Sequence, residues 1–271
     1  MNNLPLILLA LAAVVVGAVL VLSTNPQTSQ RSPETQNLRL IAEELSLDST
    51  SGRALYDSTE GTLAYLRQLG PIEPHIHHES HEVLYVLSGS GTAQTSHGEY
   101  ELSPRSLFVF FAGSPVIFEQ TGDEPLDTLI FLTPPSDNTN VSRYYSVEVA
   151  IQSATGALEP LQVKLNSLAN ESAEIVDYEA HSIAQFAPTG SVKFIEVEND
   201  FRIGRSSAST HLLYIISGSG TAEWSTGLGG RTEVAISAGE LLTLPAGKRY
   251  TIRAESPMQM LQYVITAEIE E

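Results

Sequence analysis

The stretch Tyr85-Val-Leu-Ser-Gly-Ser-Gly-Thr-Ala93 returns almost unchanged as Tyr214-Ile-Ile-Ser-Gly-Ser-Gly-Thr-Ala222, an offset of 129 residues. A second block, SPRSLFVFFAGSPVIF at 103–118, is paralleled by SAGELLTLPAGKRYTI at 237–252, at an offset of 134. The extra five residues fall at Gly227-Leu-Gly-Gly-Arg231, a glycine-rich turn where lengthening a loop costs little. Two blocks matching in the same order, with one insertion between them, mark an internal duplication. The chain reads as two copies of one small domain.

Working outward, the copies are built from short runs rich in β-branched and aromatic residues. These are TLAYLRQL at 62–69, VLYVL at 83–87, SLFVFF at 106–111 and TLIFL at 128–132, then VKFIEVE at 192–198, LLYII at 212–216, ELLTL at 240–244 and MLQYVI at 260–265. Each is bounded by Gly, Pro, Ser or Asn, the punctuation of an all-β sandwich or barrel. Between the copies, LQVKLNSLA at 161–169 carries Leu161, Leu165 and Leu168, a spacing that predicts a linker helix.

Composition narrows the function. The 271 residues hold 14 basic and 32 acidic side chains, for a net charge of -18, spread along the chain rather than gathered in a tail. That sign opposes a phosphate backbone, so nucleic acid is not expected as a partner. With no cysteine, disulfides, thiolate metal sites and thiol catalysis are all excluded. Any metal must sit on imidazole and carboxylate, which suits iron, manganese, nickel or zinc.

From Leu4 to Leu22 the chain runs without a charge. At 1.5 Å per residue these 19 residues nearly span a hydrocarbon core of about 30 Å. The run is longer than a typical signal-peptide core, and VLSTNP after it is a poor cleavage site. An uncleaved single-pass membrane anchor is expected, with the globular part outside the cytoplasm; the alternative is secretion after cleavage. Residues 23–38 are rich in Ser, Thr, Asn, Gln and Pro and read as a flexible tether.

The segment from Gly70 to Gly89 carries the chemistry. It places His75-x-His77, four residues, Glu82, six residues and Gly89 in one line. This spacing resembles the first motif of the cupin superfamily. Pro104-Arg-Ser106, Leu107–Phe111, Ala112-Gly113 and Pro115-Val116 follow the frame of that family's second motif, with several substitutions. The resemblance covers most of 60–133 and, more weakly, 190–265. It implies an all-β chain of two cupin-type (double-stranded β-helix, jelly-roll) barrels in tandem, after an N-terminal hydrophobic helix. The expected layout is 4–22 anchor or signal, 23–38 linker, 39–137 first barrel, 138–172 linker and 173–269 second barrel. Similar proteins include quercetin dioxygenase-like and oxalate decarboxylase-like bicupins. Assembly through strand edges, as a homodimer, or a compact monomer is also implied.

Strand geometry supports the first motif independently. Residues two apart on a strand share a face, so His75 and His77 aim together while Ile76 turns away. Glu82, opening the next strand, closes a set of two imidazoles and one carboxylate that leaves coordination positions free. His75, His77 and Glu82 are the expected metal ligands. The family's fourth ligand, a histidine, corresponds to Val116, which cannot coordinate. His78, Glu79 and His81 are the neighbouring residues that could compensate, though their strand parity points them elsewhere.

In the second copy, the 129 offset puts Gly204 and Ser206 where His75 and His77 stand, and His211 in place of Glu82. Tyr250 falls at the position of Val116. One imidazole does not hold a catalytic metal, so this copy is expected to be metal-free, either structural or an organic-ligand pocket lined by Ser206, His211 and Tyr250. Arg67, Arg205 and Arg249 are candidates to steer a carboxylate, although arginines are mostly surface residues. Trp224 and the phenylalanines Phe108, Phe110 and Phe111 read as core. Three functions remain open: a mononuclear metal enzyme (dioxygenase, decarboxylase or isomerase) acting on a small oxygenated compound, a tethered metal- or metabolite-binding protein, and a storage-like scaffold. No catalytic acid or base is identified.

Overall fold

The computed structural model describes residues 32–136, 139–154, 156–171, 177–226 and 230–267. The apolar run Leu4–Leu22 lies outside them, and among the described residues no helix is long and apolar enough to cross a membrane.

The chain opens with β1 (Glu34–Asn37) and α1 (Leu38–Glu44). Next come β2 (Ser51–Asp57), β3 (Thr62–Gln68), β4 (His75–His77), β5 (His81–Ser88), β6 (Gly91–Thr95) and β7 (Gly98–Leu102). Then follow β8 (Ser106–Phe110), β9 (Pro115–Gln120), β10 (Leu126–Thr133) and β11 (Val141–Arg143). After α2 (Val147–Ser153), β12 (Leu161–Lys164) and α3 (Leu165–Glu171), the second set begins with β13 (Tyr178–Phe186), β14 (Gly190–Val197) and β15 (Asp200–Ile203). It ends with β16 (Ser209–Ser225), β17 (Arg231–Ser237), β18 (Glu240–Leu244) and β19 (Tyr250–Thr266). All eight runs predicted as strands are strands.

In the first β-unit, two antiparallel sheets, β12-β8-β5-β10-β3-β2 and β11-β4-β9-β6-β7, face each other. Between them lie Leu84, Val86, Phe108, Phe110, Val116 and Phe118, all buried. In the second unit β16 and β19 run for 17 residues each and pair along most of their length, so the corresponding strands belong to one sheet. Its own interior holds Ile195, Leu213, Ile215, Leu242, Met258 and Met260.

Period-two alternation assigns every strand residue to one of two surroundings. On β5, Glu82, Leu84 and Val86 point into the first unit, while Val83 and Tyr85 point out of it. On β16, Leu213 and Ile215 point in, and Leu212 and Tyr214 out. The outward faces of the two units bury one another in a single apolar cluster that includes Tyr85, Leu129, Phe131, Phe194, Leu261 and Tyr263. Strands buried on both faces read as continuous apolar runs, which is why VLYVL and LLYII show no polar alternation.

The units also exchange a segment each. β1, which precedes the first unit, pairs with β18 of the second, from Glu34 opposite Thr243 to Asn37 opposite Glu240. β12, which precedes the second unit, pairs with β8 of the first, from Leu161 opposite Val109 to Lys164 opposite Ser106. The registers are equivalent, because the repeat carries Ser106 onto Glu240 and Val109 onto Thr243. The helix that follows starts identically in both. Leu38 N–H donates to Gly239 O at 3.0 Å and Leu165 N–H to Arg105 O at 3.3 Å, and both leucines are buried. The duplicated unit thus begins with its donated strand and helix.

Two expectations change here. LQVKLNSLA is not one helix: Leu161–Lys164 are strand and only Leu165–Glu171 are helical. The open edge of β8 offers unpaired backbone groups to the chain passing it, and that overrides the i, i+4 leucine spacing. For the same reason Glu34–Asn37, within the stretch read as a flexible tether, form a strand on β18.

Candidate metal centre

β4 is three residues long and is held on both sides. His75 lies opposite Val116 on β9 and opposite Arg143 on β11, and His77 lies opposite Val141. Gly113 N–H donates to His77 O at 2.7 Å, pinning the end of the strand. Alternation then turns Ile76 away from both histidines, as predicted. Glu82 enters from β5, where its parity with Leu84 and Val86 sends it into the unit interior. The structure brings all three predicted ligands together: one ligand atom from each of His75, His77 and Glu82 lies within 4.8 Å of the others.

The protons on these groups follow from their outer partners. His75 Nδ1 lies 2.9 Å from Glu73 O, a carbonyl that can only accept, so Nδ1 carries the ring proton. His77 Nδ1 lies 2.7 Å from Ser136 Oγ, whose own hydroxyl donates to Asn140 Oδ1 at 2.8 Å. Ser136 has spent its proton and accepts from His77 Nδ1–H. Both rings therefore present a bare Nε2 to Glu82 Oε2, at 3.9 Å from His75 and 3.7 Å from His77. These are not hydrogen bonds, and Glu82 Oε2 is buried without a hydrogen-bond partner. Burial, the larger cause, and the neighbouring His75, Arg143 and His78 push His77 down to about 4 against the pull of the Glu82 charge.

Three lone-pair donors converging with no proton between them is costly in a protein interior unless a cation sits among them. The donor set, two nitrogens and one carboxylate oxygen, fits a divalent first-row metal. The carbonyl and hydroxyl behind the rings fix their tautomers, as outer partners of metal-bound histidines do.

The remaining candidates separate cleanly. Val116 is 1% exposed and faces the interior beside His75, at the fourth-ligand position the sequence assigned to it. His78 bonds Ser142 Oγ at the surface, and His81 stacks on Phe186 at 4.9 Å on the outward face. Arg67 is spoken for by a two-pronged ion pair with Asp127, at 2.9 and 3.0 Å. Sequence reasoning missed Ser136, Asn140 and Arg143, because a short hydroxyl 59 residues from its histidine leaves no periodic signal.

In the second unit the pairing corrects one equivalence. Ile203, not Gly204, lies opposite Tyr250 and so stands where His75 does. Ser206 keeps the place of His77, since Gly247 N–H donates to its carbonyl at 2.6 Å as Gly113 does to that of His77. The one-residue shift is an insertion in the loop, invisible to a constant offset.

Residues 66–132 match the sequence family of the cupin domain. No curated protein sequence matches the chain. Among solved structures, a cupin 2 conserved barrel domain protein from Leptotrichia buccalis has 10% identity and a TM-score of 0.62, over 86% of this chain and 96% of that one. A mutant salicylate 1,2-dioxygenase from Pseudoaminobacter salicylatoxidans, solved in complex with gentisate, has 14% identity and a TM-score of 0.62, over 90% and 84%. A mutant oxalate decarboxylase from Bacillus subtilis has 12% identity and a TM-score of 0.53, over 88% and 74%. At such identities the likeness is one of fold. With a cupin domain matched at 66–132 and this fold throughout, the chain resembles the bicupins, the two-domain cupin proteins.

Proposed function

We propose that the chain is a tandem two-barrel cupin whose first barrel is a mononuclear metal centre acting on a small oxygenated compound. One observation carries the reading: Glu82 Oε2, buried and without a hydrogen-bond partner, faces two imidazole nitrogens whose tautomers leave only lone pairs. His75, His77 and Glu82 would hold iron, manganese, nickel or zinc. A metal there would supply Lewis-acid polarisation or, for a redox-active ion, oxygen activation.

The protein's own residues shape what reaches that centre. Val116 gives an apolar wall in place of a fourth donor, so a bound ion would keep a coordination position that no protein group fills. Phe118, whose ring lies 6.0 Å from that of His75, and Phe110 behind it keep water from the inner side. Arg143, opposite His75 on β11, adds a positive charge at the exposed side, where it would orient an anionic substrate. The likeness to proteins acting on salicylate and oxalate, both small carboxylates, agrees with that charge.

Elemental analysis of the purified full chain tests the reading. One equivalent of a first-row metal, lost in Glu82→Gln, is expected. A protein that takes up no such ion even after apo loading would overturn the metal centre and favour a scaffold. Zinc alone, with no turnover of hydroxybenzoates or oxalate, would favour binding without catalysis.

A further inference from the structure

The second unit does not merely lose the first unit's ligands; it inverts their chemistry. His211 takes the place of Glu82: it lies opposite Leu244 and Val264 as Glu82 lies opposite Phe110 and Leu132. Lys193 lies opposite Gln262 on the β14–β19 ladder, where the first unit has Ala64 opposite Ile130. Lys193 shares its parity with Ile195 and Val197, and Gln262 with Met260, so both enter at the interior face of the second unit. A carboxylate, an alanine and an isoleucine have become an imidazole, an ammonium and an amide.

The hydrogen bonds follow the same inversion. Gln262 Nε2, which can only donate, lies 3.1 Å from His211 Nδ1. The ring proton of His211 is thereby placed on Nε2, which becomes a donor, the reverse of His75 and His77. Burial first, and then the Lys193 charge, push His211 down to about 4, so near neutral pH its ring is uncharged and the positive charge at this place belongs to Lys193. Lys193 is only partly exposed, yet among the described residues no carboxylate forms an ion pair with it, on a chain of net charge -18. A half-buried cation and an N–H donor with no anion between them form the counterpart of the first unit's proton-free acceptors. The neighbouring positions are apolar: Ile203 replaces His75, and Tyr250 replaces Val116 with its hydroxyl turned away to Pro245 O at 2.6 Å.

We propose that the second unit binds a small organic carboxylate, its charged end held by Lys193 and His211 Nε2–H and its apolar body against Ile203 and Tyr250. The site is independent of whether the first unit holds a metal. Ile203 and Tyr250 beside the two donors are apolar and nearly fully buried, surroundings that suit the body of an organic acid and leave the remaining oxygens of a sulfate without partners, so an organic acid is favoured over sulfate.

Trp224, the sole tryptophan, lies in the same core with its ring 6.5 Å from that of Tyr250, and is a built-in reporter. The test is a titration of the metal-free full chain with benzoate, followed by Trp224 fluorescence and by calorimetry, with sulfate as the competing probe. Saturable one-site binding is expected, weakened about tenfold or more in Lys193→Ala and in Lys193→Gln, whose folding is checked by circular dichroism. Lys193→Ala installs the residue the first unit tolerates at this place, and Lys193→Gln keeps the length of the side chain. No saturable benzoate binding, equal binding in whichever of these variants folds, or sulfate binding as tightly as benzoate would each overturn the proposal.

Discussion

Tyr85 and Tyr214, which occupy the same place in the two repeats, meet across the seam between the units with ring centroids 5.7 Å apart. A residue touches its own repeat equivalent only where it sits near the two-fold relationship that superposes the units. The same relationship accounts for the reciprocal donation of β1 and β12 and the shared register of those pairs. Burying two outward sheet faces against each other removes from water what would otherwise be a large apolar surface on each unit.

Tyr263 packs into this seam, fully buried, with its hydroxyl lacking a hydrogen-bond partner. Its phenol is pushed well above the ordinary tyrosine value, first by burial and then by Tyr85 and Tyr214. Removing an unpaired buried hydroxyl while keeping the ring relieves a desolvation cost. Tyr263→Phe should therefore leave the fold unchanged and raise stability by about 1 kcal/mol, read as a higher urea midpoint with the same slope. A loss of stability would mean that the hydroxyl has a partner, such as a buried water.

The glycines of the repeated Ser-Gly-Ser-Gly are demanded by backbone geometry. Gly89 and Gly218 have φ of +79° and +83°, and a Cβ at either would fall on a carbonyl oxygen, of Pro125 or Pro257. Gly98 also has a positive φ, +138°, but nothing near it for a Cβ to meet. Gly89→Ala and Gly218→Ala should each cost roughly 2–4 kcal/mol, and Gly98→Ala distinctly less. Thermal unfolding of the three variants checks the order.

These residues also show what was legible in the sequence. The strands, the duplication, the core aromatics and the grouping of His75, His77 and Glu82 could be read because each leaves a local pattern of period, repeat or spacing. The donated strands could not, since Glu34–Asn37 and Leu161–Lys164 are strands only because a distant sheet edge is open to them. Ser136 and Arg143 reach the candidate metal centre across the fold, and no local pattern reports such a contact. The Ile203 equivalence was hidden by a one-residue insertion that only strand pairing resolves.

Acid should weaken the metal-free protein through His211. Its pKa is about 4 in the folded state against 6.5 when exposed, so between those values the unfolded chain binds more protons. The stability tied to its neutral form is fully present above about pH 6.5 and is lost as pH falls towards 4, up to roughly 3 kcal/mol. His211→Gln should flatten that part of the profile, measured by urea unfolding from pH 4 to 8 without metal. His77, also lowered to about 4, supplies a further slope that the variant leaves in place.

The proposed metal centre is best tested at Val116, where the chain departs from a four-ligand set. Val116 lies opposite His75 on the neighbouring strand, and paired residues on an antiparallel ladder project to the same face. A histidine there should add a fourth nitrogen donor, so Val116→His is expected to tighten divalent-metal binding by tenfold or more in titrations of the apo protein. The same ring, without metal, replaces a buried aliphatic group in the Phe110 and Phe118 cluster with a polar one. The metal-free variant should consequently lose about 1–3 kcal/mol of stability and regain it on loading. His75→Ala should abolish tight binding, and adding Val116→His to it should not restore the native affinity, since the new ring cannot supply both nitrogens. If Val116→His leaves affinity unchanged while His75→Ala abolishes it, position 116 does not face the ion and the three-ligand site stands alone. If neither substitution alters metal uptake, the lone pairs of His75, His77 and Glu82 are satisfied in some other way, and the first unit is not a metal centre.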